Sequence, residues 1–476
     1  MQSKKDRWQE DLFVASPLRD LIPEDHLLRR VDRVLDLSWL HEELRECYCQ
    51  DNGRPSIDPE SALRLMLAGF FDGIVHDRKL MRRAQTDLAF RWFAGYRLDE
   101  ALPDHSSLTR IRQRWGVERF KRIFQKTVQA CVDAHLVNGE TIHIDASLIR
   151  ADVSWESLTT QHAEQVVTEN DSSEDDASPK PRRGRPRTKP RRAKKRSTTD
   201  PDATMTTSRR DQRLEPSFKQ HTAVDDQAGV VVDVALTTGE VNEGGQLLEQ
   251  LERIETTTGT RIQTVTADKS YAHTANYHGL EERGIDAIIP PQATARRPKH
   301  IPGARFKYDA KHRLLHCPGG KKLTRKGYDA TAGGWRYGAS AHDCNACALR
   351  NRCFTASAKS RIIVLRDGHE ALLRARRRKA RGWDESTTEH YKRHRWRVEG
   401  AHGEAKTQHG LRRAARRGLG NVAIQVYLTA TVMNLKRLAK MPPRLLRRLT
   451  NLVKAILESS RCADENGSTR WVFFGV

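Results

Sequence analysis

The sequence predicts a mixed α/β fold with an α-helical N-terminal domain and a cysteine-bearing insertion. Three observations predict it. Helical patterning, broken by Pro and Gly, fills residues 10–137; β-branched runs alternate with helical stretches from 138 to 290; and four cysteines, Cys317, Cys344, Cys347 and Cys353, sit in an irregular segment before two last helical stretches. A chain of 476 residues suggests roughly two to four domains. The expected division is a helical domain at 1–137, the first part of a strand-bearing core at 138–290, a cysteine-containing insertion at 291–380, C-terminal core helices at 381–440 and a basic tail at 441–476.

In the N-terminal region the clearest helix follows Asp58-Pro59-Glu60, an N-cap candidate with Pro at the first helical position, ahead of Ala62, Leu63, Leu65, Met66 and Leu67. A second stretch runs from Leu80 to Trp92. A third begins at Leu108 and carries Arg110, Arg112 and Arg114, which fan across more than one face; Arg112 and Arg114 are candidate DNA contacts. An ordinary helical bundle has the same pattern, and net charge tips the reading to DNA.

The run from Glu140 to Arg150 alternates β-branched and polar residues and reads as a strand, with Asp145 on its polar side. From about 155 to 215 the pattern is lost: an acidic patch, Glu169 to Asp176, precedes a Pro-interrupted basic tract from Pro179 to Arg196, read as a disordered insert. Within it Arg183-Gly-Arg185-Pro-Arg187 resembles an AT-hook for a narrow minor groove, although nonspecific phosphate contact is the favoured reading. Strands at 218–225 and 229–236 should pair as a hairpin. A helix at about 244–256 leads into a strand ending at Asp268, and a short strand at 285–289 stops at Pro290. Helices are expected at about 386–410 and 420–438, the second packing on the sheet through Val422, Val426, Met433 and Leu435.

Lys plus Arg outnumber Asp plus Glu by 84 to 61, a formal charge of +23, which favours a polyphosphate partner over an acidic small molecule. No apolar run approaches the ~18 residues of a spanning helix, and the N-terminus lacks the apolar core of a signal peptide. A cytoplasmic protein without a membrane partner is expected.

The strand order lets a sheet bring Asp145 and Asp268 together, with Glu399 delivered by the packing helix. Three carboxylates at strand ends suit two Mg²⁺ or Mn²⁺ ions about 3.5–4 Å apart, and therefore in-line phosphoryl transfer on nucleic acid. Arg395, Glu399, His402 and Lys406 are spaced to share one helical face, which is also the pattern of a solvated helix laced with i,i+4 ion pairs. Glu389 and Glu404 compete with Glu399, as Asp225 and Asp233 compete with Asp268.

These residues resemble the DDE transposases of bacterial insertion sequences, the RNase H-like class whose late helix carries a Tyr-Arg-Glu-Lys signature. The resemblance runs over most of residues 10–440: Pro103 to Ser107, Arg112-Gln-Arg114, Ile144-Asp145, Ala267 to Tyr271, and Tyr391 to Lys406. Arg395, Glu399 and Lys406 keep the signature spacing; Tyr391 stands one residue too far from Arg395. The resemblance implies an RNase H-like mixed sheet, Asp145, Asp268 and Glu399 as ligands of two Mg²⁺ or Mn²⁺ ions, and Arg395, Lys406, Tyr391 and Lys269 on DNA. It implies a nucleoid-associated bacterial enzyme that binds terminal inverted repeats and target DNA, as a homodimer on DNA. The alternative is a DNA-binding regulator or inactive relic. Cys317, Cys344, Cys347 and Cys353, one pair at CxxC spacing, suit a tetrahedral structural Zn²⁺ or stay reduced and unliganded.

Overall fold

The computed structural model describes residues 16–49, 56–154, 158–160, 195–206, 214–292 and 300–441. The N-terminal region is helical, with α1 (Leu27–Asp32), α2 (Leu40–Glu43), α3 (Pro59–Phe71), α4 (Asp77–Thr86), α5 (Leu88–Phe93) and α6 (His105–Asp133). The start of α3 follows from its sequence: the Asp58 carboxylate accepts a hydrogen bond from the Ser61 N–H at 2.7 Å, and Pro59 occupies a position whose N–H would have no helical partner. Helix α6 is interrupted at Gly116, whose φ of 70° few other residues tolerate.

A six-stranded sheet follows, built from β1 (Thr141–Arg150), β4 (Thr204–Thr206), β5 (Glu215–Asp225), β6 (Val231–Thr238), β7 (Thr264–Ala267) and β8 (Asp286–Ile288). β1 pairs antiparallel with β5, from Ile142 opposite Asp225 to Arg150 opposite Ser217, and β6 and β4 each pair antiparallel with β5. On its other side β1 pairs in parallel with β7, and β7 with β8. The hairpin joining β5 to β6 turns at Gly229, which has a φ of 69° and backs onto the Arg397 guanidinium. α7 (Leu247–Thr258) ends on Gly259 in the left-handed conformation, and α8 (Thr274–Glu282) connects β7 to β8.

Two expectations are corrected here. The segment 155–215 is not wholly without structure: β2 (Leu158–Thr160) pairs with β3 (Lys195–Ser197), and β4 extends the main sheet. The segment 291–380 is not irregular. It holds an antiparallel sheet of β9 (Lys307–Asp309), β10 (Leu314–His316), β11 (Lys322–Asp329), β12 (Gly334–Gly338) and β13 (Ile362–Arg366), the short helices α9 (Ala341–Asn345) and α10 (Arg350–Cys353), and the basic helix α11 (His369–Arg381). Its small core of Phe306, Leu315, Leu323, Tyr337 and Phe354 is separate from the main one.

The late helices are α12 (Glu385–His394), a π turn over Arg395–Glu399, α13 (Gly400–Thr407) and α14 (Leu419–Leu438). α14 is apolar nearly all round and is buried along its length, as such helices are. It packs on α6 and α3 on one side and on β6 on the other, so the N-terminal helices and the sheet share one contiguous core running from Ile22 to Ala439. Where it crosses β6, buried Asn434 accepts from the Val231 N–H at 2.9 Å and donates to the Val231 carbonyl at 2.8 Å, satisfying backbone groups next to the turn. Replacing Asn434 with Ala is expected to lower stability by about 2–3 kcal/mol, because two buried backbone groups lose their partners. Chemical denaturation with unchanged m-value checks this.

Candidate active site

The register of two parallel strands builds the site. Ile144 of β1 lies opposite Ala267 of β7, so the next residues, Asp145 and Asp268, stand beside each other where the two chains diverge. Asp145 continues into the pairing with β5, opposite Thr222. Asp268 ends its strand and caps the following turn, accepting from the Ser270 N–H at 2.7 Å and the Ser270 hydroxyl at 3.2 Å. Both carboxylates line one cleft of about 830 Å³, with Glu243, Lys219, Ser147, Lys406 and Arg412 also on its wall.

Burial, and then the negative charges of Asp268, Glu243 and Glu399, push the Asp145 carboxyl up to about 7. Tyr391 is raised by burial and by Asp268, Asp145 and Glu399, which puts its ring in the field of the same three acids although its spacing from Arg395 is one residue too long. Lys406 donates to the Ser147 hydroxyl, and its ammonium is held below the usual range by burial and by Arg412, against the pull of Asp145. His402, buried on α13, has Nδ1 3.8 Å from Asp145 and Nε2 3.0 Å from the Thr222 hydroxyl.

Glu399 closes the π turn, a geometry often found at functional sites. Its side chain is 63% exposed and pairs with Arg395, 81% exposed, at 3.3 Å. Among the described residues no three His, Cys, Asp or Glu side chains already converge as an ion-binding group. The acids instead form an open, mutually repelling set of oxygen donors, a chemistry that fits hard divalent cations.

The other carboxylates weighed from the sequence are engaged elsewhere. Glu404 is held by Lys436 at 2.7 Å, Arg437 at 3.1 Å and His409 at 3.5 Å. Asp225 accepts from the Gly139 and Gln227 N–H groups, Asp233 pairs with Arg253 at 2.9 Å, and Glu389 is exposed on α12. Glu243 is the acid that sequence reasoning missed: it lies in a short turn after β6, pairs with Lys219 at 3.2 Å, and nothing in its local pattern marks it.

Among expected DNA contacts, Lys269 and Arg395 are exposed, and Arg114 is exposed and stacked on Tyr48. Arg112 is a correction. It is 3% exposed and ion-paired to Asp77, which also binds Arg416 at 3.0 Å, so it ties α6 to α4 and cannot reach a phosphate. Arg183 and Arg185 lie outside the described residues. Cys317, Cys344, Cys347 and Cys353 are neighbours: the Cys353 thiol is raised by burial although Arg361 opposes this, with the other three thiols adding to the rise. A Cβ on Gly319 would lie 3.3 Å from the Cys347 sulfur and 3.6 Å from that of Cys317, and the Lys321 N–H donates to the Cys317 sulfur at 3.2 Å.

Two family models match the chain: a transposase domain (DUF772) over residues 16–114 and a transposase DDE domain over residues 316–439. The chain belongs to the DDE-class transposases. No curated protein matches this transposase. Among solved structures it is similar to a piggyBac transposase in a synaptic complex with hairpin DNA, at 11% identity and a TM-score of 0.31, over 94% of this chain and 85% of that one. It is similar to the Mos1 transposase in a paired-end complex with the left transposon end, at 12% identity and a TM-score of 0.17, over 50% of this chain and 61% of that one. A Mos1 mariner paired-end complex with Mn matches at 13% identity and a TM-score of 0.15, over 53% and 67% of the two chains. These likenesses are too loose to carry residue-by-residue correspondence.

The raised Asp145 carboxyl has a direct consequence for stability. A folded-state value of about 7 lies above the ordinary value near 3.9, so the native chain binds the proton more tightly than the unfolded one. That contribution is fully present below pH ~4 and is lost as pH rises to about 7. In EDTA at pH 8, Asp145→Asn is expected to be more stable than the parent by on the order of 2 kcal/mol, the gap closing toward pH 4. Melting curves across pH check this; parallel curves for the two proteins contradict it.

Proposed function

We propose that this transposase binds the terminal inverted repeats of an insertion sequence and catalyses metal-dependent cleavage and strand transfer at its ends, with Asp145, Asp268 and Glu399 as the acidic triad. The observation that carries the reading is the strand register that sets Asp145 beside Asp268 on one cleft wall, with Glu399 acting on the same carboxyl. A sheet of three antiparallel strands, β6, β5 and β1, extended by parallel β7 and β8, supports an RNase H-like core with the sheet of 307–366 as an insertion into it.

The acids would hold two Mg²⁺ or Mn²⁺ ions, which supply an activated oxygen nucleophile and neutralise charge on the leaving oxygen. The chain's own side chains do the rest. Asp145 and Asp268, fixed on adjacent strands, define where the scissile phosphate sits. Lys406, partly buried and anchored on Ser147, presents its ammonium to the phosphate oxygens, and exposed Arg395 and Lys269 grip the backbone beside it. Water, or a DNA 3′-hydroxyl in the joining step, attacks phosphorus in line and the opposite P–O bond breaks, so no covalent enzyme intermediate is required. The net charge of +23 supports double-stranded DNA as partner; a homodimer assembled on two ends and a bacterial cytoplasmic, nucleoid-associated setting are part of the same proposal. No described helix is long and apolar enough to cross a membrane.

Donor-strand nicking of an end-containing duplex in Mn²⁺ tests the triad. Asp145→Asn, Asp268→Asn and Glu399→Gln are each expected to cut at least about a thousandfold more slowly than the parent while still retarding the duplex in a gel. Cleavage near the parent rate by Asp268→Asn removes it from the triad; a parent that binds ends and never cuts favours a DNA-binding regulator.

The four neighbouring thiols of the insertion, with the Lys321 N–H donating to the Cys317 sulfur, are the residues that would hold a structural zinc ion, although among the described residues they do not already converge as an ion-binding group. Purified protein is expected to carry one zinc per chain by elemental analysis, lost in Cys347→Ser. Substoichiometric zinc in the parent ends this assignment.

A further inference from the structure

Beneath the carboxylates runs a buried hydrogen-bonded chain that touches every element carrying one. His143 lies two residues before Asp145 on β1, and Thr266 two residues before Asp268 on β7, so each shares a sheet face with its aspartate. His394 ends α12, immediately before the π turn that closes on Glu399. His143 Nδ1 is 2.6 Å from the Thr266 hydroxyl, and that hydroxyl is 3.0 Å from His394 Nδ1. The other end is anchored: His143 Nε2 is 3.0 Å from Asp226 Oδ1. Asp226, in the β5–β6 turn, also takes Arg393 at 2.7 Å and lies 3.6 Å from Arg397, both from the Glu399-bearing segment. His143 is 0% exposed, Thr266 0% and His394 6%, so water cannot substitute for a lost partner.

The bonding directions follow from the anchor. Asp226, paired with arginine, is a carboxylate and only accepts, so His143 Nε2–H donates to it. Neutral His143 therefore has a bare Nδ1 that accepts from the Thr266 hydroxyl, and the Thr266 oxygen accepts from His394 Nδ1–H. The chain runs one way, from His394 through Thr266 and His143 to Asp226, and fixes one tautomer for each imidazole. Only a hydroxyl at 266 can donate to one ring and accept from the other.

We propose that His143, Thr266, His394 and Asp226 are positioning residues that lock the Glu399 helix to the two aspartate strands, setting the spacing of the carboxylates for divalent ions. This rests on the reading of Asp145, Asp268 and Glu399 as the triad. Thr266 is the central joint. Its hydroxyl bridges β1 to the helix within two residues of Asp268, and groups that orient ligands in this way typically cost 10–100-fold in metal affinity or activity when removed.

The test uses the full chain, Thr266→Val and Thr266→Ser, and the pair His394→Asn and His394→Gln. Asn places its amide nitrogen where His394 Nδ1 stands, and Gln places it where Nε2 stands, so only the Asn variant can still donate to Thr266. Single-turnover nicking is followed against Mn²⁺ concentration, well below each variant's melting temperature, with DNA-end affinity measured separately in Ca²⁺. Thr266→Val and His394→Gln are expected to need about tenfold or more Mn²⁺ for half-maximal rate, with end affinity within about twofold of the parent. Thr266→Ser and His394→Asn are expected to return toward the parent curve. Should Thr266→Val fail to fold, the His394 pair decides by the same readout.

Parent-like Mn²⁺ curves for Thr266→Val and His394→Gln overturn the proposal, as does an equal loss in His394→Asn and His394→Gln. If those curves are parent-like while Asp145→Asn, Asp268→Asn and Glu399→Gln are inactive, the triad stands and only the positioning role falls. If the three acid variants also cut, both readings fall together.

Discussion

The structure depends on one strand being paired on both sides. β1 is bonded antiparallel to β5 along its length and parallel to β7 over Thr141 to Ile144, and that second register is what makes Asp145 and Asp268 neighbours. A slip of one residue in either strand would turn an aspartate to the other face of the sheet. The apolar residues of the same strands oppose such a slip: Ile142, Ile144, Val265 and Ala267 are buried in the main core, so hydrophobic burial fixes the geometry of the acids without touching them.

Holding acids this close in a partly buried cleft is unfavourable, and the chain meets the cost with cations placed just outside the cluster. Lys219 takes Glu243, Arg395 takes Glu399, and Lys406 and Arg412 stand on the same wall as Asp145. The Asp145 carboxyl stays raised all the same, first because it is buried and then because Asp268, Glu243 and Glu399 surround it. The cleft therefore keeps an unspent negative potential facing a positively charged exterior.

Much of the frame was legible because short-range rules and burial agree. The Asp58-Pro59 start of α3, the hairpin over 218–236 and the apolar α14 all stand where periodicity and turn chemistry put them. The aspartates could be picked out because strand ends carry polar residues for a reason. What was not legible depends on contacts distant in sequence. Arg110 and Arg114 are four residues apart on a helix and share an exposed face, whereas Arg112, two residues from each, points away from it; that it is buried depended on Asp77 and Arg416, far along the chain. The sheet of 307–366 escaped because its strands are short, rich in Lys, Arg and Gly, and bury only a small core. Glu243 and the His143–Thr266–His394 chain carry no spacing signal, since each bond joins separate elements.

The shared core between the N-terminal helices and the sheet has a further consequence. α14 is enclosed by α3 and α6 on one side and β6 on the other, while Arg30 donates to the Ala439 carbonyl at 2.7 Å and His409 to that of Phe70 at 2.7 Å. Front and back halves of this chain are therefore a matched pair, not interchangeable modules. Swapping the first 137 residues with those of a distant relative would leave one flank of α14 against a surface not shaped for it. Sequence divergence should accordingly accumulate on outward-facing side chains, while the inward ones change only in concert across more than 300 positions of chain.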